Sequence, residues 1–257
     1  MSVLPISAAA SLPRWKRTLD LAGVLIALPL LGVCVLLVWF LVLLFSRGPI
    51  FFEQERIGLD GRVFRLLKFR TMHLGAETDS HRAHVAALFR SGTPMQKLDG
   101  RRDPRLFPGG WLLRASGLDE LPQILNVLRS EMSLVGPRPC LPYELEHFDA
   151  AQRRRFAAMP GLTGLWQVSG KNRTTFEKMI QLDLAYRERL SLRGDLWILA
   201  RTAPVLLGQV LEALRVRRRA RIAVLSVDSR DAPASRAVAV PRPIPSTPHR
   251  PPSIPVP

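Results

Sequence analysis

LAGVLIALPLLGVCVLLVWFLVLLF, residues 21–45, runs without a single charged side chain. About 20 apolar residues suffice for a helix to cross the hydrocarbon core of a bilayer, so this segment enters the membrane. It is roughly twice as long as the apolar stretch of a secretory signal, and no small-residue cleavage site follows it before Arg47, which marks it as a retained anchor. Arg14, Lys16 and Arg17 precede it, and Arg47, Arg56, Arg62, Arg65, Lys68 and Arg70 follow. Basic residues mark cytoplasmic flanks, so both ends favour the same face. Pro29 lacks an N–H and clashes with the preceding turn. It either kinks one span or breaks it into a hairpin that enters and leaves by one face; composition leaves both open.

Beyond the anchor, Gly48-Pro49 marks a turn, and Asp60-Gly61 separates two apolar stretches within residues 50–72, as in a short β-hairpin. Residues 76–90 pattern as an amphipathic helix, and 91–110, rich in Gly, Pro and charge, as a surface loop. Leu118, Leu121, Leu125 and Leu128 recur at helical spacing, which places Asp119, Glu120 and Pro122 in a first helical turn. Helical periodicity returns over 143–158 and 174–213. The latter mixes Trp197 with Arg187, Arg189, Arg193 and Arg201, a composition suited to a membrane interface. From about 225 the chain is dense in Pro, Ala and Ser and builds no core, so it reads as disordered. The expected organisation is an N-terminal cytoplasmic segment (1–18), a membrane segment (19–47), a catalytic domain (48–215) and a basic, Pro-rich tail (216–257).

The 257 residues carry a formal net charge of +16 and two cysteines. Such a surface attracts polyanions, whether nucleic acid, anionic lipid or phosphorylated substrate. Two cysteines are too few for a disulfide framework. His81 and His84 stand i,i+3, but no further His or Cys cluster supports a metal site, and they read as surface residues.

Residues 114–139, RASGLDELPQILNVLRSEMSLVGPRP, gather an acidic pair, several arginines and a Gly-Pro-Arg-Pro turn. A carboxylate can attack phosphorus, and its neighbour can hold a divalent metal that neutralises phosphate oxygens, roles that Asp119 and Glu120 could divide. Arginine binds phosphate with a planar fork of donors, which makes Arg114 and Arg138 clamp candidates. Taken singly, an acidic pair at a helix start is more often a cap complementing the helix dipole.

The whole string, with Lys16-Arg17 and Asp20, GPIFF (48–52), QERIGLDGRVF (54–64), KFRTM (68–72) and PGLTGLWQVSGKN (160–172), resembles the bacterial sugar transferase family, the monotopic phosphoglycosyl transferases of polysaccharide assembly. The resemblance runs from Lys16 to about Thr202. It implies a mainly α fold with a small β element, and a re-entrant membrane hairpin broken at Pro29. The catalytic domain would stand on the cytoplasmic face of a bacterial inner membrane, and a homodimer is compatible with it. It also implies a ping-pong reaction in which Asp119 takes the phosphosugar from a UDP-sugar, UMP leaves, and undecaprenyl phosphate receives it. Asp119 and Glu120 would hold Mg²⁺, and Arg114, Arg138, Lys171 and Arg173 would bind phosphate or nucleotide. Two positions depart from the pattern: Gly117 stands where Ser is usual, and Lys171 where Arg is usual, with Arg173 a candidate substitute. Lys keeps the charge but loses the bidentate fork. Two other readings remain: a basic membrane-tethered binding module, and an inactive anchor. The first leaves LDELPQ and GPRP without purpose and lacks RNP, zinc-finger and KH patterns, so no nucleic-acid partner is expected. The intact Asp119-Glu120 pair argues against the second.

Overall fold

The computed structural model describes residues 13–45, 48–73, 87–89, 93–94, 105–170 and 174–228. The chain divides into two compact units, 1–217 and 218–257.

Helix α1 (Arg14–Phe45) is continuous, with Pro29 inside it. Lys16, Asp20, Val24, Leu31, Cys34, Val38 and Val42 are buried along it. Their spacings of three, four and seven residues put them on one face, the geometry of a helix laid against a core. Leu25, Ile26, Val33, Leu36, Phe40 and Leu44 are exposed on the same helix. A helix apolar on every side, with only one side covered by protein, is suited to lipid on the other. Its two ends meet the same body. Asp20 accepts hydrogen bonds from Ser133 Oγ and the Leu134 amide, both at 2.8 Å. Leu41 stands 3.5 Å from where a β-carbon on Gly109 would lie.

The expected hairpin is present: β1 (Phe51–Ile57) pairs antiparallel with β2 (Val63–Phe69) from Phe51↔Phe69 to Ile57↔Val63. Asp60 and Gly61 turn it with positive φ angles of 54° and 78°, a conformation that Asp tolerates and Gly adopts freely.

Helix α2 (Gly110–Ser116) follows, and then the first departure from the helical reading of 118–128. Gly117, at φ 74°, ends α2; Leu118–Glu120 form a 3₁₀ turn, and α3 begins only at Gln123 and ends at Leu128. The acidic pair therefore lies in a tight turn between two short helices rather than in the first turn of a long one. Pro122 immediately precedes α3, where its missing N–H is tolerated.

A second sheet has no counterpart in the sequence reading. Strand β3 (Ser133–Val135) pairs parallel with β4 (Gly161–Thr163). The backbones approach so closely that a β-carbon on Gly136 would come within 2.1 Å of the Met159 carbonyl oxygen. GPRP and PGLTG thus touch backbone to backbone, an approach that glycine permits.

The region 143–158 is broken into a 3₁₀ turn (Pro142–His147), one turn of α-helix, α4 (Ala150–Arg153), and a further 3₁₀ turn (Arg154–Ala157). Helix α5 (Leu165–Val168) buries Trp166, so that indole packs in the core and does not face headgroups. The periodic stretch 174–213 is two helices, α6 (Phe176–Glu188) and α7 (Leu192–Asp228), interrupted at 189–191. Helix α7 is helical through Asp228. Of the helix expected over 76–90, only 87–89 is described; it is helical, and the Phe89 ring stacks on Phe176. His81, His84 and most of the 91–110 loop lie outside the described residues.

Candidate active site

The Asp119-Glu120 turn is fixed from three directions. Gly117 supplies the left-handed start, and the Glu120 amide closes the turn on the Gly117 carbonyl at 3.0 Å. Leu118 and Leu121 pack onto the core. Lys68, projecting from β2, donates to Glu120 Oε1 at 2.9 Å. On the far side, a β-carbon on Gly117 would stand 3.1 Å from a Leu206 methyl of α7. The acidic turn is thus seated between the hairpin and α7. Asp119 is 9 % exposed, sheltered yet at the surface. A carboxylate with little water around it is a better nucleophile toward phosphorus than a fully hydrated one.

The contact with Glu120 ties Lys68 of the KFRTM stretch to the acidic turn. Its ammonium holds one oxygen of Glu120 beside Asp119 and puts a positive charge where phosphate oxygens would gather. Asn126 ties the same region together, accepting from the Leu67 amide and donating to the Arg65 carbonyl and to Glu131. Nothing in the local sequence around Asn126 signals that bridge.

Arg114 lies in the last turn of α2, two residues before its end, partly buried. Arg138 belongs to a second charged centre. Its fork binds Glu144 at 2.8 and 3.1 Å, and its carbonyl accepts from Arg155, which also pairs with Asp183. Arg56 joins this centre by donating to the Pro139 carbonyl. Burial lowers the Arg56 pKa to about 10, with Arg138 adding to the effect. Burial alone would raise Glu144, but Arg138, its hydrogen bonds and Arg56 outweigh it and hold the carboxyl below its ordinary value. Burial pushes Asp183 up to about 6 against the pull of Arg155, and pushes the Cys140 thiol up to about 12. The GPRP arginine is therefore held in a rigid ionic cluster, with its side chain 21 % exposed. Lys171 and Arg173 lie outside the described residues.

A third polar centre was missed because its members are far apart in the chain. Lys16 Nζ, 2 % exposed, donates to Asp195 at 2.6 Å, to the Val135 carbonyl at 2.8 Å and to Tyr186 at 3.0 Å. Arg17 donates to the carbonyls of Val127 and Leu128 at 2.7 and 2.8 Å, capping α3. Lys16 and Arg17, read from sequence as part of a basic flank of the membrane segment, fasten α1 to the body.

Among the described residues no group of three or more His, Cys, Asp or Glu is gathered. Asp119 and Glu120 are neighbours in the chain, and Mg²⁺ is commonly held by one or two carboxylates with the remaining ligands from substrate phosphates and water.

Comparison with known proteins gives a consistent result. The bacterial sugar transferase family matches residues 12–209. The exopolysaccharide production protein ExoY of Sinorhizobium fredii is 40% identical over 192 residues, covering 74% of this chain and 84% of that protein. A UDP-glucose:undecaprenyl-phosphate glucose-1-phosphate transferase of Caulobacter vibrioides is 38% identical over 200 residues, covering 75% of this chain and 69% of that protein. The galactosyl transferase CpsE of Streptococcus agalactiae is 38% identical over 200 residues, 75% of this chain but 42% of its own length, so the chain spans less than half of that relative.

Proposed function

The chain belongs to the bacterial sugar transferase family and is a phosphoglycosyl transferase; on that premise we propose that it transfers a sugar-1-phosphate from a UDP-sugar to undecaprenyl phosphate through a covalent intermediate on Asp119. The observation that carries the reading is the sheltered Asp119-Glu120 turn, with Lys68 fixed to Glu120 at 2.9 Å.

An Asp119 oxygen attacks the sugar-bearing phosphorus of the donor; that bond forms as the bond from phosphorus to the UMP oxygen breaks, and UMP departs with the electron pair. An oxygen of the lipid phosphate then attacks the same phosphorus and releases the Asp119 carboxylate. Lys68 orients Glu120 and contributes positive charge to the pentacoordinate stage. Bound by the two carboxylates, Mg²⁺ would neutralise charge on the phosphate oxygens. Arg114, Arg138, Lys171 and Arg173 are assigned to phosphate or nucleotide binding, with Arg138 positioned by Glu144 and Arg155.

The chain acts at a membrane, and the reading places its catalytic body on the cytoplasmic face of the inner membrane. A perpendicular span would carry one end of α1 away from the body, whereas residues 20 and 41 both touch it. That favours an α1 that enters and leaves by one face, bent at Pro29. The acceptor's phosphate would then lie at the same surface as the acidic turn. Named relatives are assigned to galactose and to glucose, and the product would serve exopolysaccharide synthesis.

The test is UMP release by purified protein from a panel of UDP-sugars with Mg²⁺, with and without undecaprenyl phosphate, beside Asp119→Asn. Sustained release that depends on the lipid and on Asp119 is expected, and the active donor names the sugar. Full turnover by the Asn variant would remove Asp119 from the chemistry.

A further inference from the structure

The family match ends at residue 209, whereas α7 is helical through Asp228. The sequence of that extension is distinctive: RVRRRAR at 215–221 carries five arginines, and no acidic residue occurs between Glu212 and Asp228. Apolar residues border the run on both sides, with Leu207, Leu211 and Leu214 before it and IAVLSV (222–227) after it.

The part of α7 that precedes this run is uncovered along one face. Its start is held on the body by Asp195, which pairs with Lys16. Beyond that point Leu196, Leu207, Leu211 and Leu214 are all exposed. At 100° per residue they fall within about 60° of arc, a single uncovered stripe. Trp197 is 48% exposed beside it, and the Arg201 guanidinium lies 5.4 Å from the centre of its ring. A β-carbon on Gly208 would meet nothing within 4 Å. An exposed leucine stripe with a Trp-Arg pair, followed at once by clustered arginines, is the composition of a helix lying in an anionic bilayer surface. An RNA-binding helix would have no use for the stripe.

We infer that the 215–221 segment is an anionic-lipid binding site which, following the leucine stripe of α7 in the chain, gives the enzyme a second attachment to the membrane besides α1. The inference rests on the membrane reading above. It adds a preference for phosphate-bearing headgroups that α1, uncharged over residues 21–45, does not supply. Each arginine near an anionic surface shifts the bound-to-free ratio of its segment about fivefold, so five together shift it on the order of a thousandfold.

The experiment places an environment-sensitive fluorophore at Ser226→Cys in the full chain, where the native Cys34 and Cys140 are both buried. The protein is reconstituted in vesicles of phosphatidylcholine alone or with phosphatidylglycerol. A blue shift and protection from an aqueous quencher are expected only with phosphatidylglycerol. Both are lost in 1 M salt, where the Debye length is about 3 Å. Both are also lost when Arg215, Arg217, Arg218, Arg219 and Arg221 are replaced together by Gln. Flotation of this fivefold variant with neutral vesicles reports on the α1 anchor, and its UMP release on the chemistry; both stay unchanged, which separates this inference from the proposed function. Equal emission in the two vesicle types, or an unaltered signal in the fivefold variant, would overturn it. So would an arginine-dependent response to an RNA oligomer without one to anionic lipid.

Discussion

Replacing Asp195 with Asn removes the counter-charge of an ammonium that has almost no access to water. Lys16 and Asp195 expose 2% and 0% of their side chains, and their 2.6 Å contact joins the start of α1 to the start of α7. In the variant, Lys16 retains the Val135 carbonyl and the Tyr186 hydroxyl, both neutral, as partners. Breaking a buried pair from one side costs about 3–5 kcal/mol, because the remaining charge stays desolvated. For a domain of this size about 2–4 °C of Tm accompanies each kcal/mol, so unfolding in detergent, followed by Trp fluorescence, is expected some 6–20 °C lower. The double variant Lys16→Met, Asp195→Leu removes both charges and recovers most of the loss. A single variant within about 1 kcal/mol of the parent, or a double variant less stable than either single one, would refute the reasoning.

Glu144→Gln leaves the buried fork of Arg138 without its carboxylate and is expected to cost about 3 kcal/mol at neutral pH. Because the Glu144 pKa is depressed in the folded state, that contribution is complete above the ordinary value of 4.5 and fades as pH falls below it, so denaturant midpoints of the two proteins should converge in acid. Gly117→Ser, which would restore the residue more usual in the family, meets φ 74° and the Leu206 methyl here, and should destabilise by about 1–2 kcal/mol in urea unfolding. Lys68→Met should lower kcat/KM about ten- to a hundredfold by freeing Glu120 to move, without unfolding the protein by circular dichroism.

The parts of this fold that were legible in the sequence are those with local causes. The β1–β2 hairpin follows from Asp60-Gly61 between apolar stretches, and the membrane character of α1 from its uncharged run. The helix expected over 118–128 opens as a 3₁₀ turn and becomes α-helical only at Gln123, because Pro122 has no N–H to bond back into the preceding turn, a defect that leucine spacing does not reveal. The β3–β4 sheet has three-residue strands packed into the core without alternating polar positions, so no period marks them. The site was legible only in part. Asp119 and Glu120 stand together in sequence, whereas Lys68 reaches Glu120 from 52 positions away and Lys16 reaches Asp195 from 179. Long-range polar pairs of this kind are written in the tertiary fold, and a basic residue beside a membrane segment looks the same in sequence whether it is solvated or buried.

The most direct test of the central claim is to hold the enzyme with a UDP-sugar labelled in the sugar, without lipid acceptor, and read the mass of the peptide containing residue 119. The account predicts a phosphosugar adduct on Asp119, with stoichiometric UMP, discharged on adding undecaprenyl phosphate and absent in Asp119→Asn. Lipid-dependent turnover without any adduct, with UMP appearing only when both substrates are present, would contradict it.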